Sequence, residues 1–254
     1  MARRCALALA AGASLLLPAP AAAQSAGDGA RTAGQLPANV LRGLVGVWHA
    51  DNATPLLVGA VATSTASYLD RNIERSLASP GSRFGTLAET GGGPAASATV
   101  VLGLFVWGRL DERHARFRAA TYDMLDASVV NLAYTELLKR TVRRVRPNGE
   151  DDQSFPSGHA SNAFALATCV ERHFGWRVSL PAYLVASAVG VSRLQRNKHH
   201  LSDVTAGAAL GYVVARTVAR VNDRPRGGPS RAAQLGLQPF VGRHAGGLVV
   251  SVAF

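Results

Sequence analysis

Apolar residues recur along most of this chain at three- and four-residue spacing, and strict alternation is absent before residue 230. Residues 55–69 predict a first helix ending near Asp70 and Arg71, and residues 95–110 predict a second. Met124, Leu125, Val129, Leu132, Leu137 and Leu138 place a third over roughly 119–141. Further helices are expected at about 158–172, 179–191 and 203–220. Between them, residues 79–94 hold five Gly and two Pro and read as loop, residues 111–118 are polar, and residues 147–156 form a loop closed by two prolines. No repeat of 20–50 residues is visible. The pattern predicts an all-α fold, a helical bundle of about six helices. Only the tail alternates, through Leu248, Val250, Val252 and Phe254. Two strands alone are marginal in water, so a β-hairpin docked on the helical domain is expected there.

The ends divide the chain further. Arg3 and Arg4 precede an uncharged apolar run, and Ala21, Ala22 and Ala23 fit a small-residue cleavage site, so residues 1–23 read as a secretory signal peptide. Residues 24–46, rich in Gly, Ala, Ser and Pro, read as a flexible lead-in, residues 47–221 as the helical domain, and residues 222–254 as a linker with the hairpin tail. A bilayer span needs about 20 mostly apolar residues. Residues 52–69 and 90–108 are uncharged over 18 and 19 positions, but the runs at 160–170, 178–192 and 204–215 reach only 11, 15 and 12. These lengths favour a bundle packed on itself, with peripheral membrane contact. An exported, periplasmic and membrane-associated protein is the expected setting.

Composition narrows the class. At 48% hydrophobic residues the chain has enough apolar mass for a core, which excludes disorder for most of its length. Two cysteines, Cys5 and Cys169, exclude a disulfide scaffold. The net charge is +11, and +9 once residues 1–23 are removed; all but Lys139 and Lys198 of the 27 basic residues are arginines. Arginine forks suit phosphate, so phosphate-bearing partners are indicated.

Three clusters carry candidate chemistry. The first runs from Lys139 to Pro147 and contains Arg140, Arg143, Arg144 and Arg146; by itself it reads as a solvated basic helix end, above all at Arg140, Arg143 and Arg144. The second is Phe155, Pro156, Ser157, Gly158 and His159 before an apolar run, with Ser157 placed as an N-cap. Free backbone N–H groups at such a helix start form an anion site. The third, from Ser192 to Asp203, joins Arg193, His199, His200 and Asp203 near another helix start.

Their order is K-x6-R-P, then P-S-G-H, then S-R-x5-H-x3-D, carried by Lys139, Arg146, Pro147, Pro156, Ser157, Gly158, His159, Ser192, Arg193, His199 and Asp203. Residues 139–203 thereby resemble the type 2 phosphatidic acid phosphatase superfamily, which includes acid phosphatases, lipid phosphate phosphatases and vanadium haloperoxidases. The resemblance implies a phosphate pocket of Lys139, Arg146, Arg193, Ser157 and Gly158. It implies His199 as a nucleophile forming phosphohistidine, Asp203 as the acceptor that orients it, and His159 as general acid and then base. Each residue type suits its role. His200 competes with His199 but lies off the family spacing. His49, His114, His173 and His244 are isolated and read as surface or packing residues.

The reading is therefore an exported, metal-independent phosphomonoester hydrolase with no cofactor and no nucleic-acid partner. Its substrate is a phosphomonoester, with lipid phosphate narrowly favoured over small soluble esters. The rivals are a non-specific acid phosphatase, a vanadium-dependent haloperoxidase using the same anion pocket, and a non-enzymatic module binding anionic lipid. The sequence is silent on oligomeric state.

Overall fold

The structure is a computed structural model. It describes residues 31–79, 81, 94–111, 113–223, 234–241 and 246–253. The expected signal peptide, most of the Gly-rich loop before residue 94, the linker 224–233 and His244 lie outside the described residues.

The chain divides into two compact units, Met1–Asp223 and Arg224–Phe254. Among the described residues the first unit is all-α. Its helices are α1 (Leu36–Gly46), α2 (Ala53–Leu77), α3 (Pro94–Leu110), α4 (Ala115–Val142), α5 (Gly158–Phe174), α6 (Trp176–Gln195) and α7 (Leu201–Asn222). The second unit holds strands β1 (Gln234–Val241) and β2 (Gly246–Ala253), paired antiparallel with Leu237 opposite Val250.

Among the described residues there are seven helices against the six expected, and the added one is α1. Composition marks residues 24–46 as a flexible lead-in, yet residues 36–46 are helical: Val40, Leu44 and Val47 repeat at near-helical spacing and pack on a core of Val130, Tyr134, Val214 and Val218. Polar tethers complete the docking: Asn39 donates to the Tyr122 hydroxyl at 2.9 Å, and Tyr134 donates to the Leu44 carbonyl at 2.5 Å. Just upstream, Arg31 grips Asp123 of α4 through Nε and Nη2 at 2.9 and 2.8 Å. Asp123 also meets His173 Nε2 at 2.8 Å, so His173 is a buried, hydrogen-bonded packing residue.

Helix α2 runs past the stop expected at Asp70. Ala66, Ile73 and Leu77 carry its apolar face on against Leu194, Leu201 and Val204, and the Asp70 carboxylate is satisfied by Ser202 of α7 and by Arg144, as described below.

Helix α7 lies against α1, α2, α4 and α5 and is buried along most of its length. Its contact with α5 is made backbone to backbone. A Cβ on Gly207 would stand 2.5 Å from the Ser157 carbonyl oxygen, and one on Gly211 would collide with the Ser161 carbonyl oxygen. Glycine about two and three turns into α7 therefore lets α5 and α7 approach closely near their starts. Those two helix starts carry Ser157–Gly158–His159 and Asp203.

Candidate active site

Helices α4 and α6 end, and α5 and α7 begin, at the same end of the bundle. Lys139 stands in the last turn of α4, Arg193 in the last turn of α6, and Gly158 opens α5. Arg146 follows α4, and His199 precedes α7. Six of the eight residues singled out in the sequence line one cavity of about 620 Å³: Lys139, Arg146, Gly158, His159, Arg193 and His199. The other two lie behind it. Ser157 is fully buried as the residue before α5, and its N–H donates to the Asp203 carbonyl oxygen at 3.0 Å. Its hydroxyl makes no capping bond. Asp203 is fully buried in the first turn of α7.

The expected bond between His199 and Asp203 is not formed. Asp203 Oδ2 stands 4.0 Å from His199 Nδ1, and the ring nitrogen meets the Ser154 carbonyl oxygen at 2.7 Å. Asp203 is committed elsewhere: Oδ2 accepts from Ser154 Oγ at 2.5 Å and from the His200 N–H at 2.9 Å, and Oδ1 accepts from Arg144 Nη1 at 2.7 Å. The carboxylate thus anchors the residue whose carbonyl orients the imidazole. A carbonyl only accepts, so His199 Nδ1 carries the proton and Nε2 presents its lone pair. Nε2 stands 3.4 Å from Arg146 Nη1.

Electrostatics keep that imidazole neutral. Burial disfavours the charged ring, and the Arg146 guanidinium repels it, so the His199 pKa falls from 6.5 to about 3 against the opposing bond to Ser154. Unfolded chains take up this proton as pH drops through 6.5 while the folded site refuses it until about 3. His199 therefore withdraws stability as pH falls across that window. An NMR titration of its Cε1–H should show no charge change from pH 8 down to about 5; a midpoint near 6.5 would contradict this account. Burial likewise lowers the pKa of Lys139, partly offset by Glu136 at 3.9 Å.

His200 does not line the cavity, and its Nε2 faces the Val145 carbonyl at 3.4 Å. The structure thus places His199, and not its neighbour, among the cations. Around them the basic residues sort differently from expectation. Arg143 is exposed and pairs with Asp152 at 2.8 Å, as a solvated residue would. Arg144 is only partly exposed and bridges the buried Asp70 and Asp203 at 2.8 and 2.7 Å. Lys198 pairs with Glu150 at the cavity edge. No sequence motif gives Ser154, Asp70 or Ser202 a role, and Arg144 reads from its stretch as a solvated helix end. The close alternation of Arg144 with Arg146 was the one available signal, and it does not say which arginine turns inward.

From the cations the cavity continues between α3 and α4. Its wall there is Val101, Leu102, Leu125, Val129 and Leu132. Leu102, Val129 and Leu132 are also 51%, 40% and 60% exposed, so this wall is continuous with the outer surface. Among the described residues no helix is long and apolar enough to cross a membrane.

Residues 123–226 match the family model described as PAP2 superfamily. The chain is similar to a lipid A 1-phosphatase of Porphyromonas gingivalis, 44% identical over 79 residues that make up 30% of this chain and 18% of that protein. It is similar to a decaprenylphosphoryl-5-phosphoribose phosphatase of Mycobacterium tuberculosis, 37% identical over 109 residues, 39% of this chain and 58% of the relative. A lipid A 4'-phosphatase of Helicobacter pylori is 33% identical over 67 residues, 26% of this chain and 34% of the relative. The chain thus spans less than two thirds of each of these proteins. Among solved structures, a transmembrane PAP2 type phosphatidylglycerolphosphate phosphatase from Bacillus subtilis aligns with a TM-score of 0.45 and 19% identity, covering 73% of this chain and 92% of that one.

Proposed function

Residues 123–226 form a PAP2 superfamily domain, and from that premise we propose that the protein is a lipid-phosphate monoester hydrolase working through a phosphohistidine at His199. The observation that carries the reading is the cavity itself, in which Lys139, Arg146, Arg193 and a neutral His199 share one space with the apolar wall of Val101, Leu102, Leu125, Val129 and Leu132. The relatives named above are lipid phosphatases by name, which supports the same class.

In this mechanism the three cations and the α5 N–H groups hold the non-bridging phosphate oxygens. His199 Nε2 forms a bond to phosphorus as the ester P–O bond breaks, and His159 gives its proton to the departing alkoxide. A water then attacks the phosphohistidine, His159 takes the water's proton, the P–N bond breaks and inorganic phosphate leaves. Side-chain cations supply the charge, so the reaction runs without a metal. Export, with the cavity opening towards an anionic membrane surface, suits a basic chain and an apolar wall that reaches the exterior.

A substrate panel tests this. Turnover of diacyl and long monoalkyl phosphates should exceed that of chromogenic and sugar phosphates, with rates unchanged by EDTA. Leu132→Gln and Val129→Ser should raise KM for long-chain substrates several-fold, about 1–3 kcal/mol of lost apolar contact in sum, and leave short soluble esters unaffected. Faster turnover of soluble monoesters than of any lipid phosphate would overturn the substrate assignment, and loss of activity in EDTA restored by a divalent ion would overturn the mechanism.

A further inference from the structure

We propose that Asp70 and Arg144 are positioning residues for His199, which brings α2, a helix outside the matched residues 123–226, into the working site. The inference rests on the reading of His199 as nucleophile given above.

The ring of His199 is aimed by one carbonyl, that of Ser154. Ser154 lies in irregular chain between α4 and α5, so no helix fixes that carbonyl. Two bonds do. The Ser154 N–H donates to the Arg144 carbonyl oxygen at 2.9 Å, and its Oγ donates to Asp203 at 2.5 Å. Arg144 thus holds Ser154 twice, through its own backbone and through Asp203, which its Nη1 grips at 2.7 Å. Arg144 is held in turn. Its Nη2 donates to Asp70 Oδ2 at 2.8 Å, while Ser202 donates to the same carboxylate from its N–H at 2.9 Å and its Oγ at 2.7 Å. The Ser202 hydroxyl accepts from Arg144 Nη1 at 2.7 Å, which closes the ring.

The charges explain why both partners are required. Asp203 and Asp70 have side chains 0% and 7% exposed, and one guanidinium spans them. A planar fork reaches two carboxylates at once, where an ammonium reaches one. Without it, two buried carboxylates lose their shared counter-charge and move apart. Asp203 then releases Ser154, and the imidazole loses its aim. Neither Asp70 nor Arg144 lines the cavity, so neither holds the phosphate.

The test compares Asp70→Asn and Arg144→Ala with the wild type in the intact protein. Misplacing a reacting group by about 1 Å costs about 10²-fold, so kcat should fall by about that factor in both variants. Inhibition by inorganic phosphate should stay at its wild-type constant, because Lys139, Arg146 and Arg193 remain. Millimolar guanidinium ion should restore part of kcat to Arg144→Ala and none to Asp70→Asn, and sodium chloride should restore neither. The His199 Nδ1–H proton resonance should lose its protection from exchange in both. Wild-type kcat in both variants overturns the proposal, as does a phosphate affinity that falls in step with kcat. If Arg144→Ala does not fold, Asp70→Asn decides by the same measurements. If the wild type hydrolyses no phosphomonoester, the phosphatase reading fails by itself. The Nδ1–H resonance then judges the network alone, and unaltered protection in Asp70→Asn overturns it.

Discussion

Replacing His199 with Ala should reduce turnover by at least about 10⁴-fold, the scale on which removal of a covalent nucleophile acts, while His200→Ala keeps most of it. The geometry separates the two neighbours. His199 lines the cavity with Lys139, Arg146, Arg193 and His159, and its Nδ1 proton is committed to Ser154, leaving Nε2 as a lone pair. His200 points at the Val145 carbonyl outside that cavity. Rapid quenching of the wild type with ³²P-labelled substrate should trap acid-labile phosphate, and peptide mapping should place it on His199. His199→Ala should still bind phosphate and vanadate, because the cations are untouched. The assignment fails if His200→Ala is inactive and His199→Ala is not.

Gly211→Ala should be the most damaging small substitution in the bundle. Its Cβ would meet the Ser161 carbonyl oxygen well inside contact distance and the Ala165 nitrogen at 2.9 Å. Alanine in a helix gains about 1 kcal/mol over glycine, but overpacking costs typically 1–3 kcal/mol and occasionally more. The obstacle is backbone, which has no rotamer to escape into, so the clash wins. Relief requires α5 and α7 to part, and that separation moves Ser157 and His159 away from Asp203 and His199. A fall in Tm of several degrees together with reduced kcat is the expected result. A variant as stable and active as wild type would show that the two helices need no such approach. Ala208→Gly, on the same helix, serves as a control for propensity alone.

The six residues that line the cavity were legible because they lie in short local stretches. Lys139, Arg146, Gly158, His159, Arg193 and His199 each sit at a helix end or in a short loop, in stretches with recognisable spacing. The acceptor of His199 was not legible. The family resemblance implies a direct bond from His199 to Asp203, one turn further on. The first turn of α7 instead aims that carboxylate at Ser154 and Arg144. Nor could spacing reveal Asp70, which lies 132 residues from the Ser202 N–H it accepts. Helix α1 was missed for a related reason. Its few apolar side chains gain meaning only from the surface they cover, and its Gly and Ala read as loop until that surface is known.

By itself, then, the sequence determined the helical class of the main unit, the cationic residues that line the cavity and the histidine that faces them. Periodicity, helix-end chemistry and motif spacing are properties of a chain read a few residues at a time. Tertiary structure alone decided which arginine turned inward, which oxygen aims His199, and that α2 belongs to the site. Those outcomes depend on two glycines letting α5 and α7 touch, and on buried carboxylates having to find cations from distant helices. Desolvation and close packing act between segments that meet only after folding.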